Sequence, residues 1–91
     1  MTVRREIRVD GKDNYILDAV PQSNGTYRVY ARLHPPDRHG RGGHHHHLMP
    51  GGKICVSAGS EPRTAAAAMK IGKCWAQGWS QYQRTGRFPG S

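Results

Sequence analysis

Ninety-one residues, 35% of them hydrophobic, support one small domain with a thin core, because a chain this short buries only about 60–65% of its unfolded surface. A multidomain enzyme, a large barrel and a doubly wound dinucleotide-binding fold are excluded. No membrane span is expected, since no apolar run approaches ~18 residues. Fourteen Lys and Arg against six Asp and Glu leave a net charge of +8, which points to anionic partners: nucleic acid, an acidic protein face or phosphate.

Twelve glycines and six prolines commit about a fifth of the chain to turns and loops. The basic start, Met1-Thr2-Val3-Arg4-Arg5-Glu6, has no apolar stretch behind it, so no signal peptide is expected. Cys55 and Cys74 are the only thiols, too few for a disulfide framework. A reducing cytoplasm is the expected location.

In chain order, Val3, Arg5, Ile7 and Val9 alternate on one strand face, and Asp10-Gly11 offers a tight turn. Tyr15–Val20 forms a second extended run closed by Pro21, followed by the hairpin signal Asn24-Gly25. Tyr27, Val29, Ala31 and Leu33 then alternate with Arg28, Tyr30, Arg32 and His34, the second set facing outward or toward a partner. Residues 2–34 thus read as a three-stranded antiparallel meander with one apolar face.

His34-Pro35-Pro36 stops the last strand, because neither proline can donate to a ladder. Residues 35–52 show no periodicity and read as a long histidine- and glycine-rich loop, a kind that is usually functional or disordered. Lys53–Ser57 is a short extended piece with Ile54 and Val56 on one side and Cys55 and Ser57 on the other. Residues 53–58 form the candidate cysteine site.

The final third reads as a helix over about 61–85, with Ser60 as its cap and Glu61-Pro62 in its first turn. Ala68, Ile71, Trp75, Trp79 and Tyr82 make its apolar stripe. Gly72 and Gly78 weaken the helix and suggest close approach of another backbone or a kink. Gly86 marks the helix end, and Pro89 follows it. Cys74, beside Trp75, reads as packing. The fold class is α+β: a small antiparallel meander packed against one C-terminal helix within residues 1–91.

Three chemistries compete. His34, His39, His44, His45, His46 and His47 put six imidazoles within fourteen residues, and imidazole and thiolate are usual zinc and copper ligands. Their spacing fits no closed tetrahedral pattern, and a polar loop that picks up metal adventitiously is the blander alternative. A second candidate is a basic module binding nucleic acid or an acidic protein through Arg28, Tyr30 and Arg32, with His34 on the same face. The third is Cys55 as a nucleophile, in an electropositive setting that His47 and Lys53 would supply. A small buried hydrophobe is the commoner fate of a lone cysteine.

The stretch from His47 through Pro50-Gly51-Gly52 to Cys55 resembles the active-site segment of bacterial relatives of ubiquitin-conjugating enzymes. That family carries a histidine, a Pro-x-Gly turn and a cysteine eight residues beyond the histidine. Trp75–Tyr82 followed by Thr85-Gly86-Arg87-Phe88-Pro89-Gly90 is similar to the family's closing helix and its Tyr … Thr-Gly-x-Trp-Pro-Gly ending, with Phe88 in place of tryptophan. The motif-bearing region is residues 47–90; residues 2–34 match by architecture. The resemblance implies a truncated ubiquitin-conjugating fold and a thioester on Cys55, taken from an activating enzyme that loads a ubiquitin-like modifier and passed to an amine. It implies that His47 braces the loop beside the cysteine, and it calls for no cofactor. Besides Phe88, three features depart from the pattern: Leu48-Met49-Pro50 stands where eukaryotic members have Pro-Asn, the family's first helix is absent, and the chain is well below the family's usual size. The resemblance therefore implies either a minimal member or a shrunken relative that keeps the scaffold and has lost the transfer.

Overall fold

The computed structural model describes residues 1–89, the side chains of residues 43 and 44 excepted. Three strands, β1 (Val3–Val9), β2 (Asp13–Pro21) and β3 (Tyr27–Leu33), form an antiparallel sheet in the order β1-β2-β3. A short helix α1 (Gly43–His46) and a turn at Pro50–Gly52 precede the long helix α2 (Ala65–Thr85). The fold is α+β, a meander against one helix, as its two hydrophobic periods require.

Both connections follow from turn chemistry. Asp10 and Gly11 take positive φ, 55° and 69°, the pair of left-handed residues that a primed hairpin turn needs. The β2–β3 loop spans five residues, wider than a two-residue Asn-Gly hairpin. Gln22 N–H donates to Thr26 C=O at 2.8 Å, and Asn24 Oδ1 accepts from both the backbone and the hydroxyl of Thr26.

Tyr15, Leu17, Ala19, Val29 and Ala31 face α2 and are buried. From the helix, Ala68, Met69, Trp75, Ala76, Trp79 and Tyr82 close the core. Gly72 allows this contact, since a Cβ there would lie 3.1 Å from Leu17 Cδ1 and 3.2 Å from Val29 Cγ1. A Cβ at Gly78 would lie 2.4 Å from the Phe88 ring. Both glycines therefore admit a neighbour's side chain where close approach of a backbone or a kink was expected.

The face alternation breaks at one point. Leu17 pairs with Ala31, but Ile16 pairs with Leu33, so β3 carries an extra residue there. Such a bulge reverses the facing of everything beyond it. Leu33, expected in the core, is 48% exposed, and His34, expected beside Arg32, turns under the sheet against Trp75 and Trp79.

The helix begins at Ala65, later than the expected 61. Its cap is Thr64, whose side chain accepts from Ala67 N–H, and not Ser60. Pro62 instead lies outside the helix, its C=O accepting from Tyr27 N–H at 2.8 Å. That bond ties the chain before α2 to the start of β3. The far end stops at Gly86, in the left-handed conformation at φ 78°.

Candidate functional site

Residues 34–48 are not a structureless loop. They form a strap across the C-terminal half of α2, pinned by two indoles one turn apart. Trp79 Nε1–H donates to Pro35 C=O and Trp75 Nε1–H donates to His46 C=O, each at 2.9 Å. Backbone carbonyls brought into a core need donors, and the two tryptophans supply them.

The strap's histidines are its packing residues. The His34 ring lies edge-on to Trp79 at 5.1 Å, and its Nδ1–H donates to Pro35 C=O. His39 packs on Tyr82, and its Nε2–H donates to Gln83 C=O at 3.2 Å. His46 is 6% exposed and contacts the rings of Trp79 and Tyr82. Leu48 N–H donates to His46 Nδ1 at 3.2 Å. A backbone N–H can only donate, so in this arrangement the His46 proton resides on Nε2, 3.4 Å from Asp37 Oδ2.

Asp37 organises the turn into the strap. Burial works to raise its carboxyl pKa, but hydrogen bonds from His39 N–H, the Tyr82 hydroxyl and Gly40 N–H, with nearby His46, hold it below the usual carboxylate value. Tyr82 is pushed upward, first by burial and then by that carboxylate.

Among the described residues, no three His, Cys, Asp or Glu side chains converge as a metal site. His34, His39 and His46 instead pack on the aromatic rings of α2, His34 and His46 against Trp79, and His39 and His46 against Tyr82. The His44 side chain lies outside the described residues.

The cysteine segment is a narrow hairpin. Met49 N–H donates to Lys53 C=O, Leu48 bridges Ile54, and Cys55 N–H donates to His47 C=O at 2.8 Å. His47 and Cys55 thus stand one residue beyond the bridge on its two arms. This register accounts for their eight-residue separation. The hairpin hangs on the edge of β3 through the Tyr30–Lys53 bridge and the bond from Ile54 N–H to Val29 C=O at 2.9 Å. Regular pairing ends at Ile54, so only the beginning of the expected 53–57 piece is strand-like.

Two left-handed residues shape this corner. Gly52, at φ 85°, sits so close to β3 that a Cβ would lie 2.7 Å from Ala31 O. His47 takes φ 60°, the conformation that glycine usually supplies after a helix end. Its ring packs against Phe88 at 5.0 Å. The tail after α2 is thereby joined to the hairpin, although Gly90 of the ending motif lies outside the described residues.

Cys55 is exposed, with Ile54 buried beside it. Cys74 is exposed as well, which corrects its assignment to packing: it lies beside the apolar stripe of α2, outside the core. The Pro-Gly-Gly turn and the place of Cys55 opposite Ile54 were legible in the sequence, whereas the pairing of residues 47–49, read as part of the loop, was missed, and so was the Asp37–His46–Tyr82 cluster. Its one signal was the aromatic stripe of α2, which needed a partner after Pro35.

On the sheet face away from α2, Arg28, Tyr30 and Arg32 do share a surface, but Arg32 is engaged. Its guanidinium lies 4.3 Å over the Tyr30 ring and its Nε–H donates to Asp18 at 3.0 Å. Asp18 also accepts two bonds from Arg4, at 2.7 and 2.9 Å. The Arg4 hydrogen bond, against the opposing effect of burial and with help from Arg32, keeps Asp18 below the usual carboxylate range.

No family model, curated protein or solved structure matches this chain. Among the described residues, no helix is long and apolar enough to cross a membrane.

Proposed function

We propose that this chain is a reduced relative of ubiquitin-conjugating enzymes that carries a modifier's C-terminal acyl group on Cys55. The carrying observation is an exposed thiol on one arm of the β3-edge hairpin, with His47 on the other arm. In the first step Cys55 Sγ, as thiolate, attacks the thioester carbonyl on the activating enzyme and expels that enzyme's thiolate. In the second, an amine attacks the new thioester, a C–N bond forms, the amine loses a proton and Cys55 leaves as thiolate. Both steps pass through an oxyanion that nearby polar groups must stabilise. His47 is a positioning residue here: its ring on Phe88 and its C=O on Cys55 N–H hold the hairpin to the tail.

The test uses an alkyl thioester of a peptide ending in Gly-Gly as acyl donor. Intact-mass analysis should show one acyl adduct, reversed by excess thiol, lost in Cys55→Ser and retained in Cys74→Ser. Equal labelling of both cysteines, or none at Cys55, would overturn the proposal. With a cognate activating enzyme and modifier, the same thiol-labile adduct should form at Cys55.

A further inference from the structure

α2 lies over β2 and β3 and leaves β1 partly uncovered. Val3, Ile7 and Val9 are only half-buried, although they point to the helix side. Two hollows run between β1 and α2. One, of about 460 Å³, is floored by Val3 and Met69 and rimmed by Arg5, Lys70 and Lys73. The other, of about 440 Å³, continues past Ile7 and Val9 to Gln77 and Arg84. Lys73 lines both, so the two hollows adjoin at its side chain along β1, and the helix wall of this trough is a single stripe at three- and four-residue spacing. Arg84 is engaged by Asp10 at 2.7 Å. Lys70 and Lys73 are exposed, and among the described residues neither is ion-paired.

β1 is also the open edge of the sheet, having β2 as its one strand neighbour. An edge strand presents unpaired N–H and C=O groups that another extended chain can complete. We infer that this trough receives an acidic, extended segment of a partner protein, which adds to β1 as a fourth strand. On the face toward α2, at every second position, its side chains are in turn apolar and acidic, so that apolar groups cover the half-buried Val3, Ile7 and Val9 while carboxylates on that same face meet Arg5, Lys70 and Lys73. The apolar floor favours such a segment over a polyphosphate backbone, which would desolvate without gain there. A helical partner would leave the open edge groups without their ladder. The inference is independent of the chemistry at Cys55.

The probe is a fluorescein-labelled seven-residue peptide, Glu-Thr-Val-Thr-Glu-Thr-Val, matched in length to β1 and carrying its Glu and Val on one strand face, followed by fluorescence anisotropy at 50 mM salt. The wild-type chain should bind it at least tenfold more tightly than a peptide of the same charge with proline at its centre. The double variant Lys70→Glu/Lys73→Glu should weaken binding at least tenfold without moving the melting temperature, because both side chains are exposed. Should that variant fail to fold, Arg5→Glu provides the same test from the strand side. Equal binding of the proline peptide would reduce the interaction to charge alone and overturn the inference. So would unchanged binding by the charge-reversed chain, displacement of the peptide by an equal concentration of single-stranded DNA, or no binding at 1 mM peptide.

Discussion

Two adjacent imidazoles divide the histidine strap into a side that holds the fold and a side that meets solvent. His46 is inserted between the strap and α2, with both ring nitrogens facing polar groups and its faces against Trp79 and Tyr82. His47 turns away through a left-handed backbone and packs on Phe88 beside the Cys55 hairpin. A change of one residue's φ separates the two environments. The same residue type thus serves as core at one position and as the neighbour of an exposed cysteine hairpin at the next. Residues of the first kind should govern stability, and those of the second should govern Cys55.

The sharpest way to break this division is His46→Ala. It removes a buried ring, leaves Leu48 N–H without its acceptor and strips Asp37 of its neighbour. A loss of about 3 kcal/mol is expected, which for a domain of this size lowers the melting temperature by roughly 15–20 °C. Below that transition, the iodoacetamide rate at Cys55 should stay within about twofold of wild type. A small loss of stability would show that the strap is not fastened through His46.

Gly52→Ala tests the join between the hairpin and the sheet. The new Cβ meets the Ala31 carbonyl, and the residue must hold a left-handed φ, so about 2 kcal/mol should be lost. This variant should disturb both sides, lowering the melting temperature and altering the Cys55 labelling rate together. If labelling were unchanged, the position of Cys55 would not depend on the β3 edge.

Acid should reach the strap and the open sheet face through Asp37 and Asp18. Both carboxylates are held below their ordinary value in the folded chain. Their contribution is therefore complete above about pH 4 and is lost as pH falls through the lower folded values. Melting temperatures measured from pH 7 to pH 2.5 should fall chiefly below pH 4. Asp37→Asn should flatten part of that fall, and so should Asp18→Asn. Tyr15 provides a contrast at the other extreme. Burial pushes its hydroxyl up to about 12, against the opposing bond to Ser80, so its contribution is complete below about pH 10 and is lost as pH rises toward the folded value.

The meander and the α2 stripe could be read from period alone, because each element buries one face and the side-chain periods of 2 and 3.6 mark that face. The turn at Pro50-Gly51-Gly52 was also legible, though not the pairing of its arms, because residues 35–52 carry no strand period. The bulge was not legible. Nothing local in Ala31-Arg32-Leu33 shows that β3 gains a residue there, and the His34 contacts with the tryptophans that accompany it are long-range. The strap was missed for a related reason: its order comes from contacts some forty residues away, Trp79 to Pro35 and Gln83 to Arg38 and His39. Histidine in a glycine-rich stretch carries no periodic mark of burial. The helix start was misplaced because Ser60-Glu61-Pro62 has capping chemistry, while tertiary pairing of Pro62 with Tyr27 holds that segment outside the helix.

The smallest effect is the most informative about His47. His47→Ala keeps the left-handed φ and deletes the ring, whereas His47→Gly deletes the ring and relieves the backbone. A non-glycine residue in that region costs roughly 1–2 kcal/mol, so the glycine variant should be the more stable of the two by about 1 kcal/mol. If the imidazole acts by bracing the hairpin against Phe88, both variants should slow acyl transfer to Cys55 to a similar degree. If only the turn geometry matters, alanine should behave as wild type and glycine alone should differ. Wild-type rates in both would remove His47 from the chemistry and leave Cys55 as an exposed thiol, no better placed than Cys74.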